Sequence, residues 1–402
     1  MPSAGDRLAV RGLGLRLPGL AGAADLARLV GGADLPPPSA RRFVAPETDL
    51  EPVDRRAAGP VEPRIPAAVA GRGLRALPAE SLLALAASAV AAGTGDPPDP
   101  VAVAAPADAA PAAVLWASSS AGLAEYATIC VEAATLDPGL SSPIIGPASA
   151  FNGPAATVSI RLGLDGPNET LTGGTTAGVS ALVEAARLVA GGEAARALVG
   201  GSATVSRWSL TGLAEEFVAG EGAACLAVSP CRDEDEPGIR LGRFRRLTLD
   251  RADLAAQCRA LAHSASAEGQ STAAAPGAAK PGAAGPATPG RGPVAAERGP
   301  VAAIVSTVDS GLVGAVAEGV AGPVWHLERS LGDFGAAGGL LAAASAVAYC
   351  ASAGEPASVL VLAIEPSGNA AILEVFAWGA PTSSSGWWGE HSHRVGVSGS
   401  PI

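Results

Sequence analysis

The chain has 402 residues, 48 % of them hydrophobic and 16 % charged, so it can bury a large core. Its formal net charge of −11 excludes the basic footprint that binding to nucleic acid phosphates requires. Five cysteines (Cys130, Cys225, Cys231, Cys258 and Cys350) with no CxxC pair argue against a disulfide framework or a zinc site and fit a reducing, cytoplasmic setting. The first residues, Met1 to Asp6, are polar and lack the apolar core of a signal peptide. Aromatic residues are only 3 %, which leaves Ala, Val and Leu to fill the interior. Lys280 is the only lysine among 27 Lys and Arg residues.

In chain order, Arg7–Arg16 (RLAVRGLGLR) reads as a short buried strand. Arg42–Arg64, with scattered charge and Pro, reads as loop. Pro78–Gly93 opens with Pro and Glu and has helical periodicity. Pro97–Pro111 is an Ala/Pro/Asp-rich loop, followed by a short strand at Ala113–Ala117. The central block predicts a helix over Ala155–Leu162, a Gly/Thr loop over Gly166–Thr176 and a strong helix over Ala177–Ala190. In that helix Val179, Leu182, Val183, Ala186 and Ala190 form one stripe. Strands follow at Ala195–Gly200 and Gly222–Ser229, and a further strand pattern lies in Pro237–Leu249.

The stretch 263–300 is low in complexity, poor in large apolar residues and expected to be disordered. A buried strand resumes at Val301–Thr307. The longest apolar run, Phe334–Ala353, is rich in Gly and Ala and reads as a buried core helix rather than a membrane span. Strands follow at Ser358–Ile364 and Ala370–Phe376, and residues 381–402 read as a loose tail. A helix followed by two strands thus occurs twice, which suggests an internal duplication within an α/β layered fold. Its halves are 1–235 and 236–380, the second interrupted by the 263–300 insert.

Several segments resemble the β-ketoacyl synthase family, in the family's order and spacing. They are the opening strand Arg7–Pro18, Gly166-Pro167-Asn168, and the run ETLTGGTTAGVSALVEAARLVAGGEAARALVGGSA that follows it. The turn Gly220-Glu221-Gly222-Ala223, the segment LGDFGAAGGL (Leu331–Leu340) and EPSGNAAILEV (Glu365–Val375) complete the set. The resemblance covers nearly the whole chain outside 263–300 and 381–402. It implies a thiolase-like fold, with two duplicated βαβ-type halves forming a layered α-β-α-β-α core, and it implies no cofactor and no metal.

That family's chemistry requires a cysteine thiolate at a helix N-terminus, two histidines that polarise the thioester carbonyl and stabilise the enolate, and usually a lysine. Here the nucleophile position falls on Thr175, a weak nucleophile unless a base takes its proton, and no such base is evident in the sequence. The first histidine motif should follow Val301–Thr307, where the sequence reads VSTVDSGLVG, without histidine. The second histidine position is best matched by Asp333, an anion that would oppose an enolate. The catalytic set is therefore absent, leaving Thr175 and Asp333 as degenerate positions.

The known relatives of this kind are the chain-length factors of type II polyketide synthases. The resemblance implies a non-catalytic subunit that pairs with an active ketosynthase, shapes its acyl tunnel and meets an acyl carrier protein, with no nucleic acid and no membrane partner. The family's tunnel and interface segment matches Ile144, Ile145, Pro147, Ser149, Ala150, Phe151 and Asn152, with Phe151 the bulky candidate for a tunnel floor. Two alternatives stand beside this reading. One is an acyltransferase with altered chemistry through Thr175, Ser202 or a cysteine. The other is a homodimeric scaffold that uses only the fold.

The ordinary readings of single residues are plainer. Thr175 and Asp333 each read as helix caps. Gly173-Gly174 reads as a tight turn, His326 as a core or interface histidine, and Cys130 and Cys225 as inert core thiols. His263, His391 and His393 read as incidental, and Asp233–Glu236 as a solvated turn.

Overall fold

The computed structural model describes residues 7–30, 40–44, 54–94, 111–135, 139, 143–231, 238–271, 302–353 and 357–378. The elements of the first half, in chain order, are β1 (Leu8–Arg16), α1 (Ala23–Val30), β2 (Ala40–Val44), β3 (Asp54–Ala58), α2 (Ala79–Ala91), β4 (Ala112–Ala117), α3 (Leu123–Thr135), α4 (Ile145–Ala148), α5 (Gly153–Leu162), β5 (Asn168–Leu171), α6 (Thr176–Ala190), β6 (Arg196–Ala203) and β7 (Gly222–Pro230). The second half continues with β8 (Gly238–Thr248), α7 (Leu254–Ser271), β9 (Ala302–Ser306), α8 (Ser310–Ala317), β10 (Val324–His326), α9 (Leu327–Leu331), α10 (Gly338–Ser352), β11 (Ser358–Ile364) and β12 (Asn369–Trp378).

Ten strands form one sheet in the order β10-β9-β11-β12-β8-β1-β7-β6-β4-β5. The order has an internal symmetry. In the first half β4 pairs parallel with β5 and β6, while β6–β7 and β7–β1 are antiparallel. In the second half β9 pairs parallel with β10 and β11, while β11–β12 and β12–β8 are antiparallel. The antiparallel pair β1–β8 joins the two halves. The duplication suggested by the helix–strand–strand recurrence is therefore built as two matching five-strand units.

Strand periodicity explains the layers, because alternate side chains leave opposite faces. On β11, Val359, Val361 and Ala363 enter the large central core, while Leu360, Leu362 and Ile364 enter a second cluster with α7 and α8. On β4, Ala113 and Leu115 face the central core, while Val114 and Trp116 face α2 and α5. The central core holds α6 and α10 between the two halves, giving the α-β-α-β-α layering of the thiolase-like fold. The run Gly335–Ser352 is long and apolar enough to cross a membrane, yet its helix occupies this innermost layer and is almost wholly buried.

α6 ends in a Schellman motif. Gly192 takes φ 73, its N–H donates to the Val189 carbonyl at 3.2 Å, and Glu193 N–H reaches the Leu188 carbonyl at 2.9 Å. At its other end α6 crosses α10 at very short range. A Cβ added at Gly178 would lie 2.2 Å from the Leu340 backbone nitrogen. Small residues here let two helices share the central layer, which is why a chain with few aromatics can fill it.

Three expectations change. Arg42–Arg64 is not all loop, because β2 and β3 pair antiparallel there, with Arg42 opposite Arg56. β3 is held from outside, through Ala58 N–H to the Ala219 carbonyl at 2.8 Å, so its charged sequence carries no strand alternation of its own. The Gly166–Thr176 loop contains β5, a polar edge strand that borrows its ladder from β4. The expected disorder does not begin at 263. α7 continues to Ser271, anchored by Leu254, Cys258 and Ala262 at helical spacing, with His263 exposed on it. The rest of the insert, 272–300, the segment 232–237 and the tail 381–402 with His391 and His393 lie outside the described residues.

The α6–α10 crossing is testable. Gly178→Ala is expected to lower the unfolding free energy by about 3 kcal/mol, the scale of core overpacking. Gly314→Ala, exposed on α8 with open space around its Cβ position, should be neutral or stabilising by up to about 1 kcal/mol. Chemical denaturation of both variants checks this pair.

Candidate functional site

Thr175 lies at the junction of the Gly/Thr loop and α6, in helical conformation (φ −58°, ψ −21°). It occupies the N-cap position, but its side chain makes no capping hydrogen bond. The buried hydroxyl instead bonds to the hydroxyl of Ser306 at the end of β9. Ser306 donates to Glu328 Oε1 at 2.6 Å, so in this chain of hydroxyls Thr175 is the donor to Ser306. Glu328 Oε2 accepts from Thr307 N–H at 3.1 Å and lies 3.3 Å from His326 Nε2. The same Nε2 is 2.7 Å from the Thr307 carbonyl oxygen, and the ring meets Phe217 edge-on at 5.3 Å. Gly338 closes the cluster. A Cβ there would stand 2.6 Å from Thr175 Oγ1 and 2.7 Å from Ser306 Oγ.

The electrostatics follow from burial. Glu328 is 3 % exposed, and desolvation raises its pKa even though His326, Ser306 and Thr307 favour its anion. Burial alone would lower the pKa of His326, but the Glu328 carboxylate and the Thr307 carbonyl outweigh it and raise the value. The pair therefore holds a proton in common.

The N-terminus of α6 is also occupied. Glu365, from the turn between β11 and β12, accepts from Thr176 N–H at 3.4 Å and from the Thr176 hydroxyl at 2.5 Å. Burial pushes the Glu365 pKa up, but hydrogen bonds from Thr176, Asn369 and Ser367 win and hold it below the ordinary carboxylate range. A fixed carboxylate thus already uses the positive end of the α6 dipole. An oxyanion at Thr175 would face like charge on two sides, Glu365 and Glu328.

Asp333 is placed elsewhere. Its backbone pairs with Val218 and Gly220, and its carboxylate accepts from Ala214 N–H at 3.0 Å and Gly335 N–H at 2.8 Å. It ties two loops together and caps the turn into α10. Among the described residues no hydrogen bond joins Asp333 to Thr175, Ser306 or Glu328. The two degenerate positions are thus not brought into one hydrogen-bonded group.

A second polar cluster lies at the start of α2. Glu80, 3 % exposed, accepts from four hydroxyls: Ser118 at 2.5 Å, Ser202 and Ser120 at 2.8 Å each, and Thr204 at 3.2 Å. Desolvation raises its pKa against those bonds. Ser202 also accepts from Trp116 Nε1 at 2.8 Å, so both its hydrogen-bonding roles are filled inside the protein. Cys225 and Cys258 have thiols pushed by burial to about 12 and about 11, and burial also raises Cys350. None of these three supplies a thiolate near neutral pH. Cys130, expected in the core, is exposed on α3. No group of three or more metal-ligating side chains occurs among the described residues.

The segment Ile145, Pro147, Ser149, Ala150, Phe151 and Asn152 forms α4 and the turn into α5, all at the surface of the single chain. Phe151 is 50 % exposed and Ile144 65 %. Tyr126 and Val131 on α3 and Ile160 on α5 are the remaining exposed large apolar residues among those described.

The family model for the β-ketoacyl synthase N-terminal domain matches residues 6–233, more than half of the chain. The protein belongs to the β-ketoacyl synthase family. Among solved structures, the ishigamide ketosynthase/chain length factor aligns at TM-score 0.69 and 21 % identity, covering 92 % of this chain and 99 % of that one. A type II polyketide synthase acyl-carrier protein in complex with its ketosynthase bound to the hexaketide aligns at 0.62 and 14 %, covering 93 % and 99 %. Ketosynthase twelve from the bacillaene polyketide synthase of Bacillus amyloliquefaciens aligns at 0.57 and 13 %, covering 94 % and 74 %. At these identities the likeness concerns the fold. No curated protein matches the sequence.

Thr175, which the sequence matched to the family's nucleophile position, lies in a cluster of hydroxyls and carboxylates. A base is present after all: Glu328 is linked to Thr175 through Ser306, which the sequence reading did not foresee. The signals were an acid in the short segment Leu327–Leu331 and the hydroxyl residues Ser306 and Thr307 at the end of the buried strand β9. Neither identifies a site without the fold.

The shared proton fixes a sign for pH dependence. Both His326 and Glu328 hold their protons more tightly folded than unfolded, so the stability each contributes is full below its ordinary pKa and is lost as pH rises through the raised one. Unfolding free energy is expected to fall as pH rises above about 4.5 for the Glu328 contribution and above about 6.5 for that of His326. In Glu328→Gln that fall should shrink, and the His326 ring should titrate at lower pH. Denaturation at several pH values and NMR titration of the ring measure both.

Proposed function

We propose that this chain is a ketosynthase-like subunit that does not condense acyl chains itself, but pairs with an active β-ketoacyl synthase in polyketide or unusual fatty acid assembly. In that pair it shapes the acyl tunnel of the complex and meets the acyl carrier protein that delivers the chain. The observation that carries this reading is the state of the nucleophile position. Thr175 is tied into Ser306 and Glu328, and the helix end that would stabilise a thiolate holds Glu365 instead. Two structural neighbours, a ketosynthase/chain length factor and a ketosynthase in complex with its acyl-carrier protein, are assemblies of this kind and support the reading.

The exposed apolar side chains supply the physical motive for pairing. Tyr126, Val131, Ile144, Phe151 and Ile160 lie on α3, on α5 and around α4. Covering such a patch removes apolar area from water, the main driving force of obligate interfaces. The same helices carry the tunnel candidates, and Phe151 is the one bulky side chain near the start of α5.

A second reading rests on the Thr175–Ser306–Glu328 chain, which gives Thr175 a route for its proton. It makes the protein an acyltransferase acting through a threonyl ester. The fixed Glu365 charge at the start of α6 works against forming the alkoxide, so the pairing role is favoured.

Co-expression with the ketosynthase encoded beside it, followed by size-exclusion with mass measurement, should yield a one-to-one complex. Thr175→Ala should leave product formation by that complex unchanged. A homodimer that ignores the ketosynthase, or loss of product with Thr175→Ala, would sink the proposal. In the reconstituted pair, Phe151→Ala is expected to lengthen the product. Unchanged length, read by mass spectrometry, removes Phe151 as a tunnel floor.

A further inference from the structure

The exposed large apolar side chains among the described residues, Tyr126, Val131, Ile144, Phe151 and Ile160, share one stretch of the chain. From Ala76 to Ile160 that stretch has no Lys, Arg or His, so every formal side-chain charge it carries is negative. α3 lies at the centre of the face. Of its 13 residues only Ala127 is buried, and it packs chiefly on α4, which has no charged side chain. A helix that buries so little within its own chain keeps an open side.

The charge on α3 comes from two acids. Glu125 and Glu132 stand two helical turns apart on one side of the helix, each next to an exposed apolar residue, Tyr126 and Val131. Neither is in an ion pair among the described residues. Glu132 Oε2 is shielded from water and has no hydrogen-bond partner. A carboxylate oxygen left in that state is costly, and native proteins seldom keep one without a reason. The first base after this stretch, Arg161 at the end of α5, is turned to the Arg72 carbonyl at 2.7 Å.

We propose that the face around α3 takes a partner whose matching surface is apolar and carries arginine or lysine opposite Glu125 and Glu132, and that these two acids exclude a second copy of this chain. Two such faces brought together set acid against acid, with no base from this stretch on either side. Like charges across an interface oppose association and suppress the wrong partner. A basic partner turns the same groups into ion pairs and gives Glu132 Oε2 a donor. The apolar side chains then supply the affinity, while the acids choose a heterodimer over a homodimer. This selection rests on the pairing role proposed above, and it fixes the chemistry that the partner must present.

The test is a competition for the ketosynthase encoded beside this chain. Wild type and a variant carrying both Glu125→Lys and Glu132→Lys are co-expressed with a limiting amount of it, and native mass spectrometry reads the ratio captured. The wild type is expected in at least about tenfold excess, the scale on which charge reversal at an interface acts. Because the double lysine variant could lose its fold, circular dichroism is recorded for it, and Glu125→Gln with Glu132→Gln serves as a second, nearly isosteric pair. The glutamine variant should be captured less than wild type and more than the lysine variant. Equal capture of wild type and a folded variant overturns the charge selection and leaves the pairing role standing. A stable homodimer of the wild type on its own also overturns it. If the ketosynthase captures neither chain, the pairing role itself fails and the selection falls with it.

Discussion

The N–H of Gly339 donates to the Thr175 carbonyl at 3.0 Å, where the first turn of α6 meets the first turn of α10. Such contact is possible only because Gly178, Gly338 and Gly339 present no side chain at the crossing. Much of the structure depends on that closeness. It puts two helices into one central layer, sandwiches them between two matching five-strand units, and carries the loop ends of β9 and α9 up against the start of α6. A pair of bulkier helices would hold the halves apart, and Ser306 and Glu328 would no longer reach Thr175.

In the interior created in this way, buried polar groups bond to one another. Glu80, Glu328 and Glu365 share one solution. Each carboxylate draws hydrogen bonds from hydroxyls, with a backbone amide at Glu328 and at Glu365, the Asn369 amide at Glu365 and the His326 ring at Glu328 completing the set. At Glu80 and Glu328 burial dominates and the pKa values rise, whereas at the less buried Glu365 the same kind of hydrogen bonds win and the value falls.

Several features of this plan were legible in the chain. The short continuous apolar run in Ser358–Ile364 and the period-3.6 stripe in Ala177–Ala190 are local signals, and both segments adopt the expected elements. The spacing of the Gly-rich turns carried the family resemblance, because backbone approach at those points tolerates few residues. Elements whose order comes from neighbours were not legible. β3 and β5 are charged or polar and exist by pairing with strands formed elsewhere. α1 and α8 are short helices whose apolar stripes find partners only in the packed layers. α7 outran its expected end because an anchored N-terminal stripe supports residues that would not hold a helix alone.

Composition and pattern by themselves determined an acidic α/β protein with a duplicated core, and the family resemblance set Thr175 and Asp333 at the positions where a cysteine and a histidine were expected. What surrounds those two residues was decided only by the tertiary structure. Thr175, Ser306 and Glu328 are separated by more than a hundred residues and then by about twenty, and Glu365 comes from yet another turn. Sequence periodicity reports which face of an element is buried, but not which buried polar group it will meet there. That is set by how strands and helices from the two halves converge, and here the convergence assigns Thr175 a hydrogen bond instead of a cap and Asp333 a cap instead of a place beside Thr175.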